Sequence, residues 1–253
     1  MPESISRFIK RLCNLTLVQP WDLTATLGWS LVVGLVYFSI QSGILWLYFN
    51  VLDDPSIYSS DAVRIASVQA NGILVSIMLL AAASLCSFLV FQLVRISGSN
   101  VRQHLALKPV SVWQMIGWMA ILILFSLISG LVASYLEQDI VTDFTRNLYQ
   151  NAGNIYLLAV AIVLAAPIFE ELFFRGFMFF GVSRSRLGMV GAILVTALIW
   201  TVIHDQYNWY VRGNIFVIGI LFGIARYKSD SILPPLVMHM LMNALALVEV
   251  ANL

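Results

Sequence analysis

Residues 165–177 read Ala-Ala-Pro-Ile-Phe-Glu-Glu-Leu-Phe-Phe-Arg-Gly-Phe, placing Glu170, Glu171 and Arg175 inside a long apolar run. An ionisable side chain at bilayer depth costs roughly 2.5–3.5 kcal/mol on insertion scales, so three within two helical turns require a reason. Bilayer depth is the right frame because the chain is 60% hydrophobic and 11% charged, with a mean hydropathy of +0.89. A soluble protein of this length carries about a quarter charged residues. The formal charge of +1 gives no sign of a nucleic-acid partner, and none is expected. Cys13, in a basic N-terminal stretch, and Cys86, inside an apolar run, are too far apart in such a chain to pair.

Working outward, apolar stretches of about 20 residues predict spans over 25–49, 68–94, 112–135, 155–180, 188–203, 213–227 and 232–250. The sixth is the weakest, since about 15 residues reach only about 22 Å against a ~30 Å hydrocarbon core. The expected fold is all-α: a polytopic membrane helix bundle of about seven transmembrane helices, N-in and C-out, with the active-site cavity within the C-terminal four. It divides into a basic cytoplasmic segment (1–24), three N-terminal transmembrane helices (25–150) and a C-terminal helix bundle (151–253).

Basic residues test the topology independently, because cytoplasmic loops collect Lys and Arg. Segments expected inside hold Arg7, Lys10, Arg11, Arg95, Arg102, Lys108, Arg184, Arg186, Arg226 and Lys228; the outer loops hold only Arg64, Arg146 and Arg212. His104 falls in a basic inner loop and reads as a solvated surface residue. Residues 1–20 read as a solvated positive tail, with a short surface helix as the alternative. Trp21, Trp46, Tyr48, Trp113, Tyr135, Tyr156, Trp209, Tyr210 and Tyr227 sit where interfacial anchors belong. Gly219 and Gly223 form a small-xxx-small pair that predicts close helix packing.

The polar residues of the last four spans carry the functional argument. Pro167 frees a backbone carbonyl and kinks the helix just before the carboxylates. Glu171 and Arg175, four apart, share a face in the order that favours an ion pair. Glu170 lies about 100° around the helix from Glu171 and is left free to face a cavity. His204 ends the next span, while His239 and Asn243, again four apart, share one face of the last. Singly, an intramembrane His or Asn is most simply an interhelical hydrogen bond, and a Glu-Arg pair can be purely structural. Together they suit hydrolysis: Glu170 as base to a water that His204 positions, with His239 and Asn243 donating to an oxyanion.

Glu170-Glu171-x-x-x-Arg175, Trp200-x-x-x-His204 and His239-x-x-x-Asn243 resemble the three motifs of the CPBP intramembrane proteases, the family of the CAAX prenyl endopeptidase and of bacteriocin-processing or immunity proteins. The resemblance covers about 155–250; the first half of the chain shares only its membrane-spanning character. The family's second motif usually begins with Phe, so Trp200 exchanges one bulky ring for another. The resemblance implies a glutamic-type intramembrane endopeptidase acting on a membrane-associated protein or peptide within the lipid bilayer of a bacterial plasma membrane. It implies catalytic roles for Glu170, His204, His239 and Asn243, with Glu171, Arg175 and Trp200 in support, and no cofactor.

Three other readings compete. Glu170, His204 and His239 are a possible zinc set, though no His-Glu-x-x-His pair shares a helix and Asn is a poor zinc ligand. A non-catalytic scaffold or immunity-type protein would bind a peptide in the same cavity. A proton-coupled transporter would use the cluster as a relay, but the chain lacks repeat symmetry. Depth adds a constraint: Glu170 lies about 15 Å from the inner end of its helix, His239 about 10 Å and His204 about 24 Å. A site requires His204 within about 8 Å of Glu170.

Overall fold

The computed structural model describes residues 21–252. The basic stretch 1–20, with its expected tail or surface helix and Cys13, lies outside the described residues. Among the described residues every regular element is helical. The long helices are α1 (Leu23–Leu52), α2 (Gly72–Ile96), α3 (Val112–Tyr135), α4 (Ile155–Ser183), α5 (Gly188–Val202), α6 (Trp209–Ser229) and α7 (Leu233–Ala251). Six are long and apolar enough to cross a membrane; α5 is the exception. The chain is a multi-pass integral membrane protein.

The expected weak span was the wrong one. Asn208 caps α6 by accepting the Val211 N–H, so the helix starts in the polar stretch before the apolar run and reaches 21 residues. Helix α5 has no side-chain cap and stops after 15 residues, about 22 Å. The loop carrying His204 therefore begins short of a full ~30 Å crossing.

Loops assigned to the same side meet in space. At one end, Lys108 pairs with Asp230, the Ser231 hydroxyl donates to the Lys108 carbonyl, and the Ile232 N–H donates to the Ala106 carbonyl. At the other, Asn208 donates to the Asp139 carbonyl and Gly72 to that of Asn151. The first end gathers the basic loops and the second the acidic ones, which agrees with the charge-based topology.

Helix α4 is the central strut, burying Phe169, Phe173, Phe174, Phe177 and Phe179. Helices α5 and α6 lie against each other where the glycine pair predicted. A Cβ on Gly219 would stand 3.0 Å from that of Ala197, and one on Gly223 3.1 Å from Ile193.

Three single-residue expectations fail. Trp21 and Tyr210 are buried rather than interfacial; Trp21 packs edge-on to Phe177, and the Tyr210 hydroxyl donates to the Ser129 carbonyl at 2.6 Å. His104, expected in solvent, is 1% exposed, stacked on Phe180 at 3.9 Å between centroids, with both ring nitrogens unpaired. Loop composition signalled charge, whereas the fold folds the short helix Val101–His104 back onto α4. Burial, and secondarily Arg184, pushes the His104 imidazole down to about 4. A base with a depressed folded pKa contributes no loss above its ordinary value of about 6.5 and costs stability as pH falls from there toward 4. Stability against thermal unfolding should therefore fall over that window by up to about 3 kcal/mol, and His104→Phe should remove this part of the acid sensitivity. An unchanged acid profile in the variant refutes the assignment.

Candidate active site

The site begins with the backbone of α4. Residues Val160–Ala165 are wound in an i→i+5 register, and the Ala166 N–H bonds the Ala161 carbonyl. The next donor in that register, for the Ile162 carbonyl, would be residue 167, a proline without an N–H. Asn243 on α7 supplies it, its Nδ2 donating to the Ile162 oxygen at 2.9 Å. The acceptor is a carbonyl, so the amide orientation is fixed, and the second Nδ2 hydrogen remains free.

A second i→i+5 segment, Glu171–Met178, follows the carboxylates. Such wider turns inside helices recur at functional sites. Glu171 and Arg175 are both fully buried and pair at 3.1 Å, as their spacing predicted. Arg175 also donates to the Gly219 carbonyl at 3.3 Å and lies 4.7 Å from the Trp200 ring centroid. Cation–π attraction adds to the ion pair where water is absent. Glu171 does more than neutralise Arg175, because the same Oε1 accepts from His239 Nδ1 at 3.0 Å. Its other oxygen is buried without a partner.

Glu170 is the more accessible carboxylate, its side chain 14% exposed against 0% for Glu171. The Trp200 indole donates to its Oε2 at 2.5 Å, and His239 Nε2 lies 4.0 Å from the same oxygen. His239 thus stands between the two glutamates, with Nδ1 on Glu171 and Nε2 toward Glu170. Four residues beyond Trp200, His204 Nδ1 lies 2.6 Å from the Trp200 carbonyl. A carbonyl only accepts, so Nδ1 carries the proton and Nε2 keeps its lone pair.

The structure brings Glu170, Glu171, Arg175, Trp200 and His239 into one contact network drawn from α4, α5 and α7. His204 joins through Trp200, their rings 5.2 Å apart, rather than by direct contact with Glu170. Asn243 joins through the α4 backbone. Among the described residues, no three of His, Cys, Asp and Glu are arranged to hold a metal ion.

Two features escaped sequence reasoning. The exchange of Phe for Trp at 200 adds a hydrogen-bond donor, a signal present in the residue type. The Ile162 carbonyl had a signal too, Pro167, but its partner depended on the i→i+5 register, which hydrophobic periodicity does not encode.

Residues 152–245 match the family model of the type II CAAX prenyl endopeptidase Rce1-like proteins. Over 144 residues the chain is 29% identical to an uncharacterised 24.3 kDa protein of Escherichia coli, covering 56% of this chain and 65% of that one. Over 146 residues it is 22% identical to the membrane-embedded CAAX protease MroQ of Staphylococcus aureus (strain USA300), covering 56% and 58%. The matches thus span less than two thirds of either relative, and no solved structure matches. The family match falls on the helices that carry the Glu-Glu-x-x-x-Arg, Trp-x-x-x-His and His-x-x-x-Asn motifs, so residues 152–245 are similar to the CAAX prenyl endopeptidases of the CPBP family.

Proposed function

We propose that the protein is a glutamic-type intramembrane endopeptidase that hydrolyses a peptide bond of a membrane-associated protein or peptide, without a metal or other cofactor. Glu170 takes a proton from the attacking water and returns it to the amine nitrogen as the C–N bond breaks, and the bare Nε2 of His204 orients that water. Glu171 holds His239 by Nδ1, and in its imidazolium form His239 donates from Nε2 to the developing oxyanion. The free Nδ2 hydrogen of Asn243 is the other donor. Arg175 balances Glu171 and keeps the pair in place.

The observation that carries this reading is the bridging of His239 between Glu170 and Glu171 at a buried point where three motifs from three helices meet. A non-catalytic binding protein has no need of a partly accessible carboxylate beside a fixed imidazole.

The test compares released peptides and membrane-protein termini from cells carrying wild type or Glu170→Gln at matched expression. New termini that vanish in the variant support the reading, and a phenotype unchanged by Glu170→Gln or His204→Ala points instead to binding. Purified protein should keep its activity after exhaustive chelation; loss reversed by zinc favours the metal mechanism.

Trp200→Phe keeps the ring and restores the aromatic type usual in the resembling motif, removing only the indole donor. A hydrogen bond to a charged group contributes about 1.5–3 kcal/mol. The variant should fold normally and lose roughly 10- to 100-fold in kcat, with KM little changed, as measured on the substrate those termini identify. An unaltered kcat removes Trp200 from the machinery.

A further inference from the structure

The basic end of the bundle holds a cavity of about 330 Å³, lined by none of the motif residues and unused by the proposed chemistry. Its wall carries Lys108, Arg184 and Arg226 against one carboxylate, Asp230. Arg226 is the informative member, because its side chain is only 7% exposed. Its Nε donates to the Arg175 carbonyl at 3.0 Å and its Nη1 reaches Asp230 at 3.4 Å, which leaves three of five N–H donors without a protein partner among the described residues. A guanidinium buried to that degree, with most of its fork unfilled and facing a cavity, is set up to meet a bidentate anion such as phosphate.

Two observations narrow the ligand. The single Asp230 is shared between Lys108 and Arg226, and no carboxylate pairs with Arg184 among the described residues, so the cavity carries a net excess of two positive charges. The remaining wall is apolar where Phe180 and Met189 contribute, and the cavity opens at the end of the bundle to which charge assigns the inner membrane surface. Phosphate beside hydrocarbon, at that level of the bilayer, is the chemistry of an anionic phospholipid.

We propose that this cavity is a binding site for the phosphate of an anionic phospholipid headgroup of the inner leaflet, held by Arg226 at its base with Lys108 and Arg184 at its mouth. The site does not depend on the peptidase reading. Each basic side chain near such a headgroup contributes about five-fold in affinity.

The test uses the full chain in nanodiscs of equimolar phosphatidylcholine and phosphatidylglycerol, ejected into native mass spectrometry to count retained lipids. Wild type should keep one phosphatidylglycerol in preference to phosphatidylcholine, and Lys108→Gln/Arg184→Gln should weaken retention on the order of 20-fold. Arg95→Gln/Arg186→Gln removes two exposed charges from the same end outside the cavity and should leave retention unchanged. A parallel arm titrates inorganic phosphate into detergent-solubilised protein and follows thermal unfolding. Stabilisation there, lost in the cavity variant and without lipid retention, assigns the same phosphate chemistry to a soluble source and overturns the lipid. Equal loss in both double variants reduces the effect to surface charge and overturns the site, as does the absence of any preference in both arms.

Discussion

Glu171→Gln should destabilise the bundle by about 3–5 kcal/mol, because breaking a buried ion pair from one side leaves the other charge without compensation. Arg175 would keep its bond to the Gly219 carbonyl and its contact with the Trp200 ring, but those dipoles do not replace a carboxylate. The double change Glu171→Leu/Arg175→Leu should recover most of the loss, since apolar residues of similar volume often substitute for a buried pair at little cost. Activity should be absent from that double variant, because His239 Nδ1 loses its acceptor altogether. Thermal unfolding in detergent measures the first effect and turnover the second. A double variant as unstable as the single one would show that Glu171 supports the fold through His239 and not through Arg175.

That experiment targets the part of the site that sequence showed only in outline. The Glu171–Arg175 pair was legible because i,i+4 spacing survives a wider helical turn. The tie from Glu171 to His239 was not, because it depends on how α7 sits against α4. Depth illustrates the same point. Helix α4 runs to Ser183, which places Glu170 about 20 Å from its inner end, level with Trp200 at about 18 Å along α5. His239 is only about 9 Å along α7 yet comes within 4.0 Å of Glu170, so α7 starts deeper in the bundle than α4 ends. The burial of Ser231 and Ile232 ahead of α7 fits that offset. Apolar length located the helices well, with 112–135 matching α3 end for end, because lipid contact makes composition report on crossing. It located α5 to within one residue but failed for α6, where the capping residue Asn208 starts the helix before the apolar run. It failed for His104 as well, since neighbours such as Phe177 and Phe180 are brought by folding and not by adjacency.

Asn243 combines two duties that one pair of substitutions should separate. Its Nδ2 satisfies the Ile162 carbonyl that Pro167 leaves without a donor, and the remaining hydrogen is the proposed oxyanion contact. Asn243→Ala should therefore cost about 1–3 kcal/mol of stability through a half-buried carbonyl left without a donor. It should also lower kcat by roughly 10²–10³, the usual effect of losing one oxyanion donor. Adding Pro167→Ala supplies a backbone N–H in register with the Ile162 oxygen, so the double variant should regain stability while its rate stays low. If the rate returns along with stability, Asn243 acts only by shaping α4, and the oxyanion is held by His239 alone. If neither returns, the i→i+5 register does not carry over to an alanine at 167, and Asn243→Asp becomes the sharper comparison. An ionised aspartate only accepts hydrogen bonds, so it should lose both duties whatever residue stands at 167.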